Sequence, residues 1–322
     1  MRHLGRIAAL AGLILAVILF WTQDARAVVA LLVRARFGLV LAGLFHLLPM
    51  ILNARAWQAI LPGKGRPSLA RMTQLNWIRE SANALLPVAR LGGEIAAYRL
   101  LRRARLRRAP AIASIIVDMV LSTVSQFAFA VLGFCLLLEA TGATPLVVHI
   151  AYGLAAATPL GILLVVVQQA GLLERATRLL DKLAAGRLAH MVGHSARIDR
   201  AIRTMYRRRG AIVACLAWRS AGWVVASGEI WLALRFLGYP ATLVQAVAIE
   251  ALIQAVSAAA FVVPGALGVQ EGGFLLIAAA FGIGAPMALA LAAARRLRDL
   301  VVFFPGLLAW QWVERPRPPA AG

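Results

Sequence analysis

The chain has 322 residues and a formal net charge of +21; 61% of its residues are hydrophobic and only 15% are charged, giving a mean hydropathy of +0.80. That balance excludes an ordinary soluble domain, because most residues fall in apolar runs long enough for membrane helices. On a soluble protein a charge of +21 would point to nucleic acid, but here the basic residues cluster between apolar runs, as the positive-inside rule requires.

The first apolar segment covers 5–21, after Arg2. Ala25-Arg26-Ala27 resembles a signal-peptidase site, but the segment reads as a retained first helix. A loop over 22–36 follows, with Arg26, Arg34 and Arg36. The second segment, 37–61, carries His46, Asn53 and Arg55, to which the sequence alone assigns no role. The third, 73–101, is broken at Pro87. A fourth spans 109–138 and a fifth 146–168. The stretch 169–210 is strongly basic, with seven basic residues from Arg175 to Arg203 and Arg207–Arg209 in one run. It reads as amphipathic helices on the inner leaflet. His190 and His194 in it have i, i+4 metal-ligand spacing, but no nearby Cys or paired acid completes a site. Segments 211–237, 243–283 (broken at Pro264) and 286–313 complete the chain. Cys135 and Cys215 lie in apolar runs, so no disulfide framework or thiol site is expected.

The two breaks carry the same short motif. Pro87-Val88-Ala89-Arg90-Leu91-Gly92-Gly93-Glu94 and Pro264-Gly265-Ala266-Leu267-Gly268-Val269-Gln270-Glu271 both read P-x-A-x4-E. A carboxylate in hydrocarbon is costly, and repetition of the whole spacing points to duplication around a polar centre. The offset between the motifs is 177 residues, and adding it to the segment starts 37 and 109 gives 214 and 286, close to the observed 211 and 286.

Charge sets the topology. The basic connections around Lys64, around Arg102–Arg108 and over 169–210 are placed in the cytoplasm, and 139–145, 238–242 and 284–286 outside. The loop 22–36 then falls outside in spite of its arginines. The expected fold is an all-α polytopic membrane protein with an inverted-topology repeat and two broken or re-entrant segments. It forms a single domain over 1–322, with half-repeats of about 1–145 and 146–322.

Several polar residues share helix faces inside these segments. Glu80, Asn83 and Pro87 are spaced i, i+3, i+7. Glu250, Gln254 and Ser257 form a second stripe, and Asp118, Ser122 and Ser125 a third. The serines and Gln254 suit interhelical hydrogen bonding, whereas Glu80 and Asp118 are equally compatible with a functional role. Arg295, Arg296, Arg298 and Asp299 lie in the middle of the last segment. Arg295 takes the duplicate position of Asp118, and its i, i+4 spacing lets it pair with Asp299. Arg298 then lacks a local partner, and is expected to share a site with Glu271. Arg219 and Glu229 are further intramembrane charges without an assigned partner.

The 264–271 motif resembles the P-G-G-L-G-x-x-E signature of the lysylphosphatidylglycerol synthase transmembrane (flippase-like) family. Arg298 followed by Pro305 resembles that family's R-x6-P pattern. Residues 86–94 look like its hopanoid-biosynthesis-associated (HpnL-like) branch, whereas the general family has a shorter P…GE spacing. The resemblance covers nearly the whole chain. It implies a bacterial inner-membrane protein that moves lipids between leaflets; the charge-derived topology puts both termini in the cytoplasm. Family members that make lysyl-lipid carry a soluble aminoacyltransferase domain after the membrane part. The chain ends at Gly322 without one, so synthase activity is not expected.

Three functions follow from these residues. The first is a lipid flippase or transporter for hopanoid or other polar lipids, with substrate-binding residues Arg90, Glu94, Glu271, Arg298, Glu80 and Asp118. Pro87, Gly92, Gly93, Pro264, Gly265, Gly268 and Pro305 then shape the breaks. The second is an intramembrane enzyme acting on lipid headgroups through Glu80, Glu94 or Asp118, although no nucleophile–base constellation accompanies them. The third is an accessory protein of lipid biosynthesis that docks through 169–210. No catalytic residues, metal or cofactor are expected. The expected partners are membrane lipids, not nucleic acid.

Overall fold

The computed structural model describes residues 25–63, 65–86, 91–142, 189–259 and 266–314, with isolated positions between 145 and 152. Every regular element among them is helical. Helices α1 (Ala25–Ala35), α2 (Gly38–Phe45) and α3 (Leu47–Ile60) open the described chain. Helices α4 (Leu69–Leu85) and α5 (Leu91–Arg103) flank the first break, and α6 (Arg108–Thr141) follows. The basic stretch contributes α7 (Ala189–Arg207), which leads into α8 (Arg209–Leu237). Helices α9 (Leu243–Ala259) and α10 (Val269–Ala280) flank the second break. The last segment is α11 (Ala285–Arg298), a wide π turn (Asp299–Phe303) and α12 (Phe304–Glu314).

Three stretches among the described residues are long and apolar enough to cross a membrane: Gly38–Ile60, Arg108–Thr141 and Arg209–Leu237. The helices at the breaks are shorter. At 17 residues, α4 and α9 reach about 26 Å, less than the ~30 Å hydrocarbon core. Each packs against its successor, α4 on α5 and α9 on α10, so both broken segments are helical hairpins.

Local chemistry fixes the ends of these helices. Ser68 caps α4 by accepting from the Arg71 N–H. Thr242 and Gln245 bond each other's backbone N–H groups reciprocally ahead of α9, a capping box. Gly238, at φ 93°, closes α8, and the Tyr239 N–H returns to the Leu234 carbonyl. The π turn precedes Pro305, which has no N–H to give to a carbonyl one turn back; widening the helix accommodates it. The Val302 carbonyl in that turn accepts from the Trp77 indole at 2.7 Å.

The 177-residue offset reappears in the element boundaries and in the packing. Shifted by 177, the ends of α5 fall at 268 and 280 and the start of α6 at 285; α10 runs 269–280 and α11 starts at 285. Helix α4 packs on α3 and α5, and α9 packs on α8 and α10. Helix α4 also packs on the π turn and α12, while α9 packs on α6. Each helix before a break therefore lies against the long segment that follows the other break. Helix α8 packs on α2, α3, α6 and α9, which puts it at the centre.

One expectation changes. Residues 25–35, read as loop because of three arginines within 22–36, form a helix whose Val28 and Ala35 are buried. An amphipathic helix shows little net apolarity, and the arginines obscured the pattern. The charged middle of the last segment is helical throughout, in keeping with one segment over 286–313. Segment 5–21, most of 146–168 and residues 169–188 lie outside the described residues. Within α7, Ser195, Asp199, Ile202 and Met205 form a buried face and Arg197, Arg200 and Arg203 an exposed one, as expected of an amphipathic helix.

Candidate functional site

The break after α4 brings Glu94 beneath the end of that helix. Gly93 makes the approach possible. A Cβ there would stand 2.3 Å from the Arg79 carbonyl oxygen and 2.4 Å from Asn83 Oδ1. The Gly93 N–H donates to Asn83 Oδ1 at 3.0 Å, and Asn83 Nδ2 donates to Glu94 at 3.4 Å. Glu94 Oε1 then accepts from Arg79 Nε at 2.9 Å. Arg79 also reaches Asp118 on α6 at 2.6 Å and lies over the Trp57 ring, 4.9 Å from its centroid. The other oxygen of Asp118 is engaged by Arg219 from α8. One cluster therefore ties α4, α5, α6 and α8 together.

A second cluster forms around the last segment. Arg295 pairs with Glu250 on α9 and lies 3.6 Å from Glu229 on α8. Glu250 also accepts from Gln254 at 2.7 Å. Arg298 reaches Glu229 at 3.4 Å and Asp299 at 2.5 Å, and lies over Phe303, 5.2 Å from the ring centroid. His46 Nδ1, at the junction of α2 and α3, is 2.8 Å from Glu229. Glu271 of the second motif pairs with Arg296 at 2.7 Å, and Arg296 reaches Asp299 at 3.6 Å.

The clusters share a logic with the signs exchanged. In the first, α4 before the break supplies the cation, Arg79, and α6 beyond the hairpin the anion, Asp118. In the second, α9 before the break supplies Glu250 and α11 beyond the hairpin Arg295. Both motif glutamates follow one pattern. Oε1 is held by an arginine, while Oε2 is buried and makes no hydrogen bond among the described residues.

Together the clusters contain the carboxylates Glu94, Asp118, Glu229, Glu250, Glu271 and Asp299 and the guanidiniums Arg79, Arg219, Arg295, Arg296 and Arg298. Each charge would cost about 2.5–3.5 kcal/mol at a membrane helix centre. Pairing offsets that cost, and losing one partner of a buried pair leaves the other uncompensated. Exposure is uneven: Arg295 and Asp118 side chains are each 1% exposed, whereas Arg296 is 26% exposed. Arg296 and Asp299 are thus the most open edge of the second cluster.

Several expected partnerships are corrected. Glu271 is bound by Arg296, not Arg298, because Arg298 is directed to Glu229 and Asp299. Arg295 does not pair with Asp299 one turn on; it projects across the bundle to Glu250 and Glu229 and is buried there. Glu80 joins neither cluster and accepts from Asn76 at 2.8 Å. Ser125 accepts from Trp223 at 3.1 Å and Ser257 from Gln270 at 3.1 Å, so both serve helix packing. Pro305 lies in the first turn of α12, and Gly268, at φ 74°, turns the chain into α10. Gly92 lies in the first turn of α5. Pro87, Arg90, Pro264 and Gly265 lie outside the described residues, as do the side chains of His190 and His194.

Arg79 went unremarked in the sequence, although it sits beside Glu80 in a polar stripe of an otherwise apolar segment. His46 was noted without a role, and its position 183 residues from Glu229 gave no signal.

Residues 8–306 match the family model described as lysylphosphatidylglycerol synthase TM region. No curated protein and no solved structure matches the chain.

Proposed function

The chain belongs to the lysylphosphatidylglycerol synthase transmembrane family, a membrane lipid-related family, and from that premise we propose that it moves a polar lipid between leaflets. The observation that carries this reading is the pair of buried ion clusters, one at each motif glutamate, joined through α8. Two paired sets of helices around discontinuous segments are a plan suited to alternating access. In this reading the halves are inverted repeats, the membrane is the bacterial inner membrane, and both termini are cytoplasmic. The cargo is a hopanoid or another polar lipid.

The headgroup enters by exchange of partners. A phosphate oxygen competes with Glu271 for the partly exposed Arg296, and planar guanidinium binds phosphate bidentately. The freed Glu271 carboxylate, and the unengaged Oε2 of Glu94, accept from hydroxyl or ammonium groups of the headgroup. No bond in the lipid breaks in this cycle, so the protein is a transporter rather than an enzyme.

Reconstitution of the purified protein into vesicles with headgroup-labelled lipids tests the reading. Leaflet exchange without chemical change is the expected outcome. A chemically altered lipid would replace transport by intramembrane catalysis, and no exchange of any polar lipid would leave the accessory role.

A further inference from the structure

A groove of about 780 Å³ opens between α7 and the first turns of α6, away from both ion clusters. Its apolar walls include Tyr98, Ile112, Ile198 and Met205. Its rim carries Arg107, Arg108, Arg197 and Arg200, all exposed. No aspartate or glutamate is among the described lining residues. Arg208 closes one end by donating to the Ile60 and Leu61 carbonyls at 3.2 and 3.1 Å, which pins the end of α7 against the end of α3.

The depth of the groove follows from helix length. Helix α6 has 34 residues and extends about 51 Å, well beyond the ~30 Å hydrocarbon core. Arg107 and Arg108, just ahead of the apolar run 109–138, put that end at headgroup level in a membrane. Four guanidiniums above an apolar cleft at that level match one kind of molecule: a phosphate with acyl chains attached. The volume is within the range of small-molecule sites.

We propose that this groove binds an anionic phospholipid, with the phosphate held among Arg107, Arg108, Arg197 and Arg200 and an acyl chain laid along Ile112 and Ile198. Helix α7 supplies half the cationic rim and half the apolar wall, so bound lipid fastens it to α6. The site is separate from the ion clusters and does not depend on lipid translocation.

Native mass spectrometry of the full chain in mild detergent tests this. The probes are phosphatidylglycerol, phosphatidylcholine with the same chains, and water-soluble glycerol phosphate. Phosphatidylglycerol is expected to be retained in preference to phosphatidylcholine, and glycerol phosphate is expected not to displace it. Each basic residue near an anionic surface contributes enough that R197Q/R200Q should weaken phosphatidylglycerol about ten- to thirtyfold. R197K/R200K should bind close to the parent chain, and R200Q alone should lose part of the affinity if the double variant does not fold. Equal retention of the two phospholipids, unchanged binding by both glutamine variants, or displacement by glycerol phosphate would each overturn the proposal.

Discussion

Arg219 and Glu229 lie ten residues apart on α8, about 15 Å along its axis, and each completes a different ion cluster: Arg219 meets Asp118, and Glu229 meets Arg295 and Arg298. The central helix is thereby tied to both breaks. The separation exceeds the range at which stability effects couple directly. R219Q and E229Q should therefore add in unfolding free energy to within about 0.5 kcal/mol. Transport should not add, because either change releases the same helix. Unfolding in detergent and vesicle exchange on the two singles and the double would settle this, and additive losses of transport rate would contradict the rigid link.

Asp118 bridges two arginines, Arg79 and Arg219. D118N leaves Arg79 with Glu94 alone and takes away the carboxylate that Arg219 engages. Removal of one partner from a buried pair costs about 3–5 kcal/mol, and that loss is expected in the unfolding of D118N. Adding R219Q to D118N should recover part of it. A D118N protein within about 1 kcal/mol of the parent would mean that water or lipid already screens the cluster.

Glu271 and Arg296 should show coupling in a double-mutant cycle. E271Q and R296Q combined should lose at least about 0.5 kcal/mol less stability than the sum of the singles. The same cycle on Glu271 and Arg298 should be closer to additive, since Arg298 is engaged by Glu229 and Asp299. The opposite ranking would restore Arg298 as the partner of the motif glutamate.

Two glycines next to the motif glutamates should respond differently. G93A places a methyl 2.3 Å from the Arg79 carbonyl, forces α5 away from α4, and should cost about 1–3 kcal/mol or more. Gly272, one residue after Glu271, has nothing within 4 Å of its would-be Cβ, so G272A should change stability by no more than about 0.5 kcal/mol in either direction. A silent G93A would show that the hairpin tolerates separation.

Much of the frame was legible from the residues. The long apolar runs, the helix breaks and the 177-residue offset depend on local pattern, and the helix boundaries follow them closely. Glu94, Glu271, Asp118 and Arg298 stand out because a charge in an apolar run is costly wherever it lies. The pairing was not legible. Arg295, Arg296 and Arg298 are close neighbours, yet they point to Glu250, Glu271 and Glu229 on three different helices. Sequence separation favours the i, i+4 partner, but the rotation of each residue about the helix axis decides which neighbour it meets. Helix α1 was hidden for a related reason, since its arginines lower the mean apolarity without disturbing its buried stripe.

The π turn at Asp299–Phe303 sets the angular phase of the final segment. A wide turn takes in one extra residue, and each residue of an α-helix advances the side chains by about 100°. Everything beyond Phe303 is thus turned by roughly that angle from where a regular continuation of α11 would put it. Arg295 faces Glu250, while Gly306 faces α4, where a Cβ would sit 2.0 Å from Ser81 Oγ. Deleting one residue within 299–303 would bring the two parts into one phase, and the chain would then have to give up either the buried arginine contact or the close seat of Gly306 on α4.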